Sequence, residues 1–416
     1  MPLYSIGNYG KLVSMTLDSE TEDTHMTLRR FNLLVGLTLL GAFSINSLLA
    51  CPFCSAPSLT LTEQLNASQA AVLVQWAGGE QANRDENFAG TTDYEILDIV
   101  QDDSAALKRG TKITLDRYRA SQKGNLFLLL GTVTDSRIEW SSPLEVSETS
   151  FNYMKQAPSR DANPTARLAY FMKFLEYPDK LVADDAYAEF ANAQYKDIVA
   201  LRPIMPRENL RKWLADPQTI PTRLGLYGMM LGLCGQPEDA EFLKEFIVRE
   251  SDEFRLGLDG IIGGYLTLAG ENGLDVIDQT KLANRDVTFS ETFSAMQALR
   301  FMWTYGDDRI SKPRLRQSMR ILLGRPNLAD LVIVDLARWQ DWTVVEQLID
   351  IYESEDYDVP AIKRAVVRFM LIAEKEESSA VEGQLPDHVT KAKAYLAHLR
   401  ETDPKTVKAA ERYFFE

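Results

Sequence analysis

Apolar and polar positions along the chain change their period twice. Phe31 to Ala50 carries no charge, and its most apolar part is LLVGLTLLGAF, Leu33 to Phe43. Further on come short β-branched or aromatic runs: AAVLVQW (Ala70 to Trp76), DYEILDIVQ (Asp93 to Gln101), TKITLDRYR (Thr111 to Arg119), NLFLLLGTV (Asn125 to Val133) and SRIEW (Ser136 to Trp140). Runs of this kind between polar or Gly-bearing stretches predict strands. In the third, Ile113 and Leu115 alternate with Lys112, Thr114 and Asp116, the period of a half-buried strand. The fourth is apolar throughout and is expected to be central. The stretch from about Pro57 to Pro158 therefore reads as all-β, and its five short strands predict a small OB-type barrel.

After Pro158 the period becomes helical. ARLAYFMKFLEYP (Ala166 to Pro178) sets Leu168, Phe171, Met172 and Leu175 on one face, and amphipathic segments separated by Pro or Gly continue to the end. Two segments echo one another. RLGLYGMMLGLCG (Arg223 to Gly235) and RLGLDGIIGGYLTLAG (Arg255 to Gly270) share Arg-Leu-Gly-Leu-x-Gly at an offset of 32, with Gly232 and Gly264 also aligned. Such a period predicts stacked helical units. Paired segments follow: Ser290 to Gly306 with Ser311 to Gly324, Leu328 to Trp339 with Trp342 to Ser354, and Pro360 to Lys375 with His388 to Glu401. An apolar helix turning sharply into a more charged one resembles HEAT-type α-solenoid repeats, over about 200 residues. Glycines Gly225, Gly228, Gly257, Gly260, Gly263 and Gly264 each cost about 1 kcal/mol of helix propensity relative to Ala, and close helix approach would offset it.

The N-terminal part has a looser likeness. A Cys motif, A-V-L-V-Q-W, Y-E-I-L-D-I-V followed by L-K-R-G, and G-N-L-F-L-L-L-G together resemble the netrin-like OB module of metalloproteinase inhibitors and complement C-terminal domains. That family pins its N-terminal cysteines to distant barrel cysteines, and this chain has none between Ser55 and Leu233. The resemblance therefore implies a fold and not inhibition. The expected organisation is α+β and multidomain: a leader over 1–50, a five-stranded OB-like β-barrel over 51–157, and an α-helical HEAT-like solenoid over 158–416.

Arg29 and Arg30 precede the apolar run, whose core has the length of a signal-peptide h-region. A spanning helix of about 20 residues would have to include Asn32, Ser44, Asn46 and Ser47, so an export signal is the first reading and a signal-anchor the second. Translation starting at Met26 instead of Met1 would give MTLRR directly before the run. Leu48-Leu49-Ala50-Cys51 resembles the lipobox of bacterial lipoproteins, which would lipidate Cys51 and tether the protein to a membrane. Ordinary cleavage would leave the same residue at or near the mature start.

Sixty acidic against 45 basic residues, net charge −15, would repel phosphate backbones and argue against a nucleic-acid partner. Only Cys51, Cys54 and Cys234 occur, so at most one disulfide forms, and Cys234 in an apolar helix is the expected free thiol. Cys51-Pro-Phe-Cys54 has three readings: a structural disulfide or lipid anchor, a redox pair like that of thioredoxin-like oxidoreductases, or half of a metal site. A redox thiolate needs a helix N-terminus behind it, and Pro57 discourages a long helix there. His388 and His398 fall on a Lys-rich helix and read as a solvated face. Asn83, Asp85 and Asn87 alternate like the start of a calcium loop that lacks its glycine and distal glutamate. Asp307 and Asp308 read as a turn and N-cap pair. Trp303, Trp339 and Trp342 either fill a core or line a concave groove.

The expected function follows: an exported, periplasmic or envelope interaction or scaffold protein, not an enzyme, without cofactor or metal, binding another protein through its solenoid. The alternative is an envelope thiol-disulfide or metal-handling protein using Cys51 and Cys54. The whole pattern resembles uncharacterised secreted proteins of planctomycete-type bacteria whose mature part opens with such a Cys-x-x-Cys.

Overall fold

The computed structural model describes residues 51–55, 59–83, 85–135, 137–249, 251, 254–376 and 385–412. The expected leader, with its apolar run, lies outside them. From Cys51 onward the chain packs as one compact unit. No helix among the described residues is long and apolar enough to cross a membrane.

Helix α1 (Leu61–Asn66) opens on a capping box: the Thr60 hydroxyl accepts from the Glu63 N–H, and Glu63 Oε2 accepts from the Thr60 N–H at 2.9 Å. Six strands follow: β1 (Ala70–Glu80), β2 (Thr91–Asp102), β3 (Lys112–Leu115), β4 (Leu126–Thr134), β5 (Arg137–Trp140) and β6 (Leu144–Val146). They form one antiparallel sheet in the order β3-β2-β1-β4-β5, with β6 sharing the outer edge of β4. A three-strand meander whose fourth strand returns beside the first is the Greek-key order. Among the described residues β3 and β5 do not pair, so the sheet is open. The expected five strands become six. Leu-Glu-Val at 144–146 is too short to show a period, and its pairing with Leu126–Leu128 is a tertiary gain. The all-β reading of 57–158 is also corrected, because it contains α1 and α2 (Glu148–Gln156), the latter capped by Ser147 and burying Phe151, Tyr153 and Met154.

Strand alternation divides the sheet between two cores. Ala71, Leu73, Leu128 and Leu130 join the large core that continues through the helices. Val72, Val74, Tyr94, Ile96, Phe127 and Leu129 form a smaller core on the other face. β1 and β4 are thus buried on both sides, as the unbroken apolar run in β4 foretold.

The helical region comprises α3 (Pro164–Phe171), α4 (Lys180–Ala191), α5 (Tyr195–Val199), α6 (Arg207–Ala215), α7 (Leu224–Cys234), α8 (Pro237–Val248), α9 (Leu258–Ala269), α10 (Leu274–Ile277) and α11 (Phe289–Tyr305). After them come α12 (Lys312–Ile321), α13 (Ala329–Arg338), α14 (Val345–Glu353), α15 (Pro360–Lys375), α16 (Asp387–Thr402) and α17 (Pro404–Glu411). Alternate helices touch: α7 packs on α9 and α9 on α11, with α8 against α9, and farther along α13 packs on α15. The echoed segments are α7 and α9 themselves. A methyl group at Gly260 or Gly264 would land on the carbonyl oxygens of Gly225 and Gly228, so the glycines bring the two backbones into contact.

Arginine–carboxylate clamps tie the helices together. Arg223, the first residue of the echo, is buried and donates to the Leu175 carbonyl at 2.9 Å, Glu176 at 2.8 Å and Asp184 at 2.7 Å. Its counterpart Arg255 meets buried Glu291, which also accepts from buried Lys281 at 2.5 Å. Asp239 holds Arg207 and Arg211, Asp335 holds Arg300, and Asp341 holds Arg320. Their partners are cations on neighbouring helices, which makes these buried carboxylates cross-links of the array.

Candidate functional site

The Cys51–Cys54 loop is docked against helices. The two sulfurs lie at disulfide-bonding distance with Cα atoms 5.4 Å apart; Cys51 is buried and Cys54 half-buried. Between them, buried Phe53 inserts where glycines leave room: its ring and carbonyl occupy the space a side chain would need at Gly263 and Gly225, and it packs on Phe301 at 4.7 Å between centroids. The next contacts bind the same segment to α4. The Ser55 N–H donates to Tyr187 Oη at 3.3 Å, and the Leu61 N–H donates to Asp185 Oδ1 at 2.6 Å. Asp185 also accepts from Tyr153 Oη at 2.7 Å, and burial raises its pKa to about 6. No helix begins within the motif, and α1 starts only at Leu61. Cys234, at the end of α7, is free and half-buried, and burial pushes its thiol up to about 11.

The tryptophans pack. Trp303 and Trp339 stack face to face at 4.3 Å, Trp339 is buried, and Lys312 Nζ lies 4.4 Å from the centre of the Trp303 ring. Trp342 packs against Phe369 and lies flat against His388 at 5.3 Å. His388 is therefore half-buried and not on a solvated face, and desolvation lowers its pKa; His398 is exposed as expected. Asn83 and Phe88 pair backbone to backbone, Asp85 N–H bonds to Asn83 Oδ1, and Asn87 is left-handed, which makes that loop a tight turn. Asp307 and Asp308 are both left-handed turn residues, and the cap of α12 is Ser311, not either aspartate. Among the described residues no group of three or more His, Cys, Asp or Glu side chains could hold a metal.

A cavity of about 840 Å³ lies in the sheet region, lined on one side by the end of β3 and the loop after it and on the other by β5 and the loop that follows. Sequence reading ran β3 on to Arg119, but the strand stops at Leu115. Buried Thr92 captures the rest: its hydroxyl donates to the Arg117 carbonyl and accepts from the Arg119 N–H, both at 2.7 Å, while Trp76 Nε1 donates to the Arg119 carbonyl. The two arginine side chains then reach across the cavity. Arg117 Nη2 donates to Ser142 Oγ at 2.9 Å, Arg119 Nη1 donates to the Pro143 carbonyl at 2.7 Å, and the Arg119 guanidinium lies over Phe127 at 4.8 Å. Tyr94 also lines the cavity, wholly buried, and its hydroxyl has no hydrogen-bond partner. Burial raises its pKa, so it stays a protonated donor. Neither Tyr94 nor the arginines stood out in sequence, where they read as ordinary strand positions.

A second surface lies on the helices. Phe254 and Leu256, 70% and 42% exposed, rim a shallow groove of about 170 Å³ with Phe246, Leu224, Leu258 and Ile261. Ile220 and Val248, also exposed, adjoin its lining residues Pro221 and Arg249.

Comparison with protein-family models, with curated proteins and with solved structures returned no match to this chain.

Proposed function

We propose that the chain is an exported, non-enzymatic interaction protein that binds a partner protein through its helical array. The observation that carries this reading is the exposed apolar groove around Phe254 and Leu256. Contiguous apolar surface is costly to leave in water and characteristically marks a contact surface. The finer architecture belongs to the same proposal. The Greek-key strand order supports an OB-type barrel held open between β3 and β5, and the contacts between alternate helices support HEAT-like stacking. Export to an oxidising compartment is supported by the Cys51–Cys54 pair, because such bonds persist there. A membrane tether, by retained leader or lipidated Cys51, belongs to the proposal as well, though a cysteine bonded to Cys54 has no free sulfur for a lipid.

A benzophenone side chain at position 254, irradiated in the exporting cell, is expected to yield one defined protein adduct that Leu256→Asp abolishes. An adduct unchanged by that substitution, or none from position 254 or 220, defeats the reading. The thiol-disulfide alternative has the bonded pair in its favour and the burial of Cys51 against it. Exchanging Cys51 and Cys54 for Ser separates the two: loss of a structural bond lowers stability by about 2 kcal/mol for so short a loop, with no insulin-reductase activity to lose.

A further inference from the structure

We propose that the gap between β3 and β5 takes one extended strand of a partner protein, which closes the sheet into a ring. In an antiparallel ladder alternate residues of an edge strand turn their N–H and C=O away from the neighbour. The registers identify them. Ile96 N–H bonds to the Thr111 carbonyl, which makes Glu95 and Lys112 a non-bonded pair, so Lys112 and Thr114 present their backbone outward on β3. Ser141 N–H bonds to the Leu130 carbonyl, which does the same for Ile138 and Trp140 on β5. Two rows of unpaired backbone groups thus border one cavity, and such edges are ready templates for strand addition.

Arg117 and Arg119 bridge the loops after β3 and β5 at one end, where side chains and not a backbone ladder join them. The strand order also sets the direction of the guest. Each step from β3 through β2, β1 and β4 to β5 is antiparallel, so β3 and β5 run the same way, and a strand between them that runs against both continues the antiparallel pattern and makes the more stable ladders. Its N-terminal end then lies beside the two arginines. Arg119 already meets Glu145 there at 3.5 Å, whereas Arg117 meets no carboxylate among the described residues, so Arg117 is the cation open to an acidic residue at the start of the guest segment. Alternate side chains of the guest would face the smaller core, where Ile113, Leu115 and Trp140 are only partly buried and the Tyr94 hydroxyl lacks a partner.

The test uses the full chain and a capped, fluorescent peptide in which glutamate precedes three valine–threonine pairs. Binding is expected at about micromolar Kd. N-methylation of the valine amides, which removes the hydrogen bonds along one edge and leaves the side chains, should weaken it about tenfold or more. Thr114→Pro should do the same, since proline is tolerated on an outward-facing edge and need not disturb the fold. If that variant does unfold, the N-methylated peptide on the native chain still decides. Arg117→Gln should weaken the glutamate peptide more than a version starting with glutamine. No binding at about 1 mM, binding indifferent to N-methylation, preference for a peptide with its glutamate at the C-terminal end, or an edge-to-edge dimer of this chain lost in Thr114→Pro would each overturn the proposal.

Discussion

The α7–α9 pair and the β3–β5 gap solve the same problem in opposite ways. In the helix pair every interior backbone group is bonded within its own helix, so the two backbones can approach until only glycine fits, and Phe53 fills what remains. In the sheet the backbone needs a neighbour on each side, and at the gap two long arginine side chains span only one end. One interface is complete within the chain. The other has its hydrogen-bonding capacity left over. A chain can therefore carry a rigid half and a receptive half without any difference in how apolar their cores are.

The largest expected effect strikes the complete interface. Gly264→Val should cost roughly 3 kcal/mol or more, because the added carbons collide with the Gly228 backbone and not with a movable side chain; urea denaturation measures it. If the cost is below about 1 kcal/mol, the helices do not touch as described. Next comes the clamp beside that pair. Glu291→Ala leaves buried Lys281 without its counter-charge and should cost about 3 kcal/mol by the same measurement.

Asp185 tests the seam where the segment before the sheet is fastened to α4. Its pKa is about 6 in the folded chain, against an ordinary value near 4. Between those values the folded state keeps a proton that the unfolded state has released, so stability falls as pH rises from about 4 to about 6, by up to roughly 3 kcal/mol. Asp185→Asn should remove that fall while retaining an acceptor for the Leu61 N–H. Denaturation at about pH 4 and about pH 7 should therefore show a smaller pH difference in the variant than in the native chain. The smallest effect belongs to the open half. Gly110, at φ +76° with nothing near a Cβ, should lose only about 1 kcal/mol on change to Ala, from backbone conformation alone, as a thermal melt would read.

Much of this architecture was readable in residue order. The strands around Val72, Ile96 and Leu128 declared themselves by composition, and β4 by an apolar run that only a doubly covered strand sustains. The echo of Arg223 in Arg255 located the closest helix pair, because glycines at matching places in two helices are the mark of backbones in contact. The capping box of Thr60 and Glu63 starts α1 inside the stretch read as all-β. What stayed hidden depends on partners distant in sequence. β6 exists because Leu126–Leu128 lies beside it, and β3 ends early because the Thr92 hydroxyl competes for the backbone of Arg117 and Arg119. His388 left the solvated face because Trp342, 46 positions earlier, was there to stack on. The docking of Phe53 on α7 and α9, far along the chain, could not be inferred from Cys-Pro-Phe-Cys either.

Local order and periodicity were written in the sequence itself, since side-chain pattern and backbone preference act over a few residues and need no knowledge of the rest of the chain. Which edges found neighbours, which charges found counter-ions, and which row of backbone groups was left without a mate were decided only by the tertiary structure, because each is a meeting of residues whose separation along the chain says nothing of their separation in space.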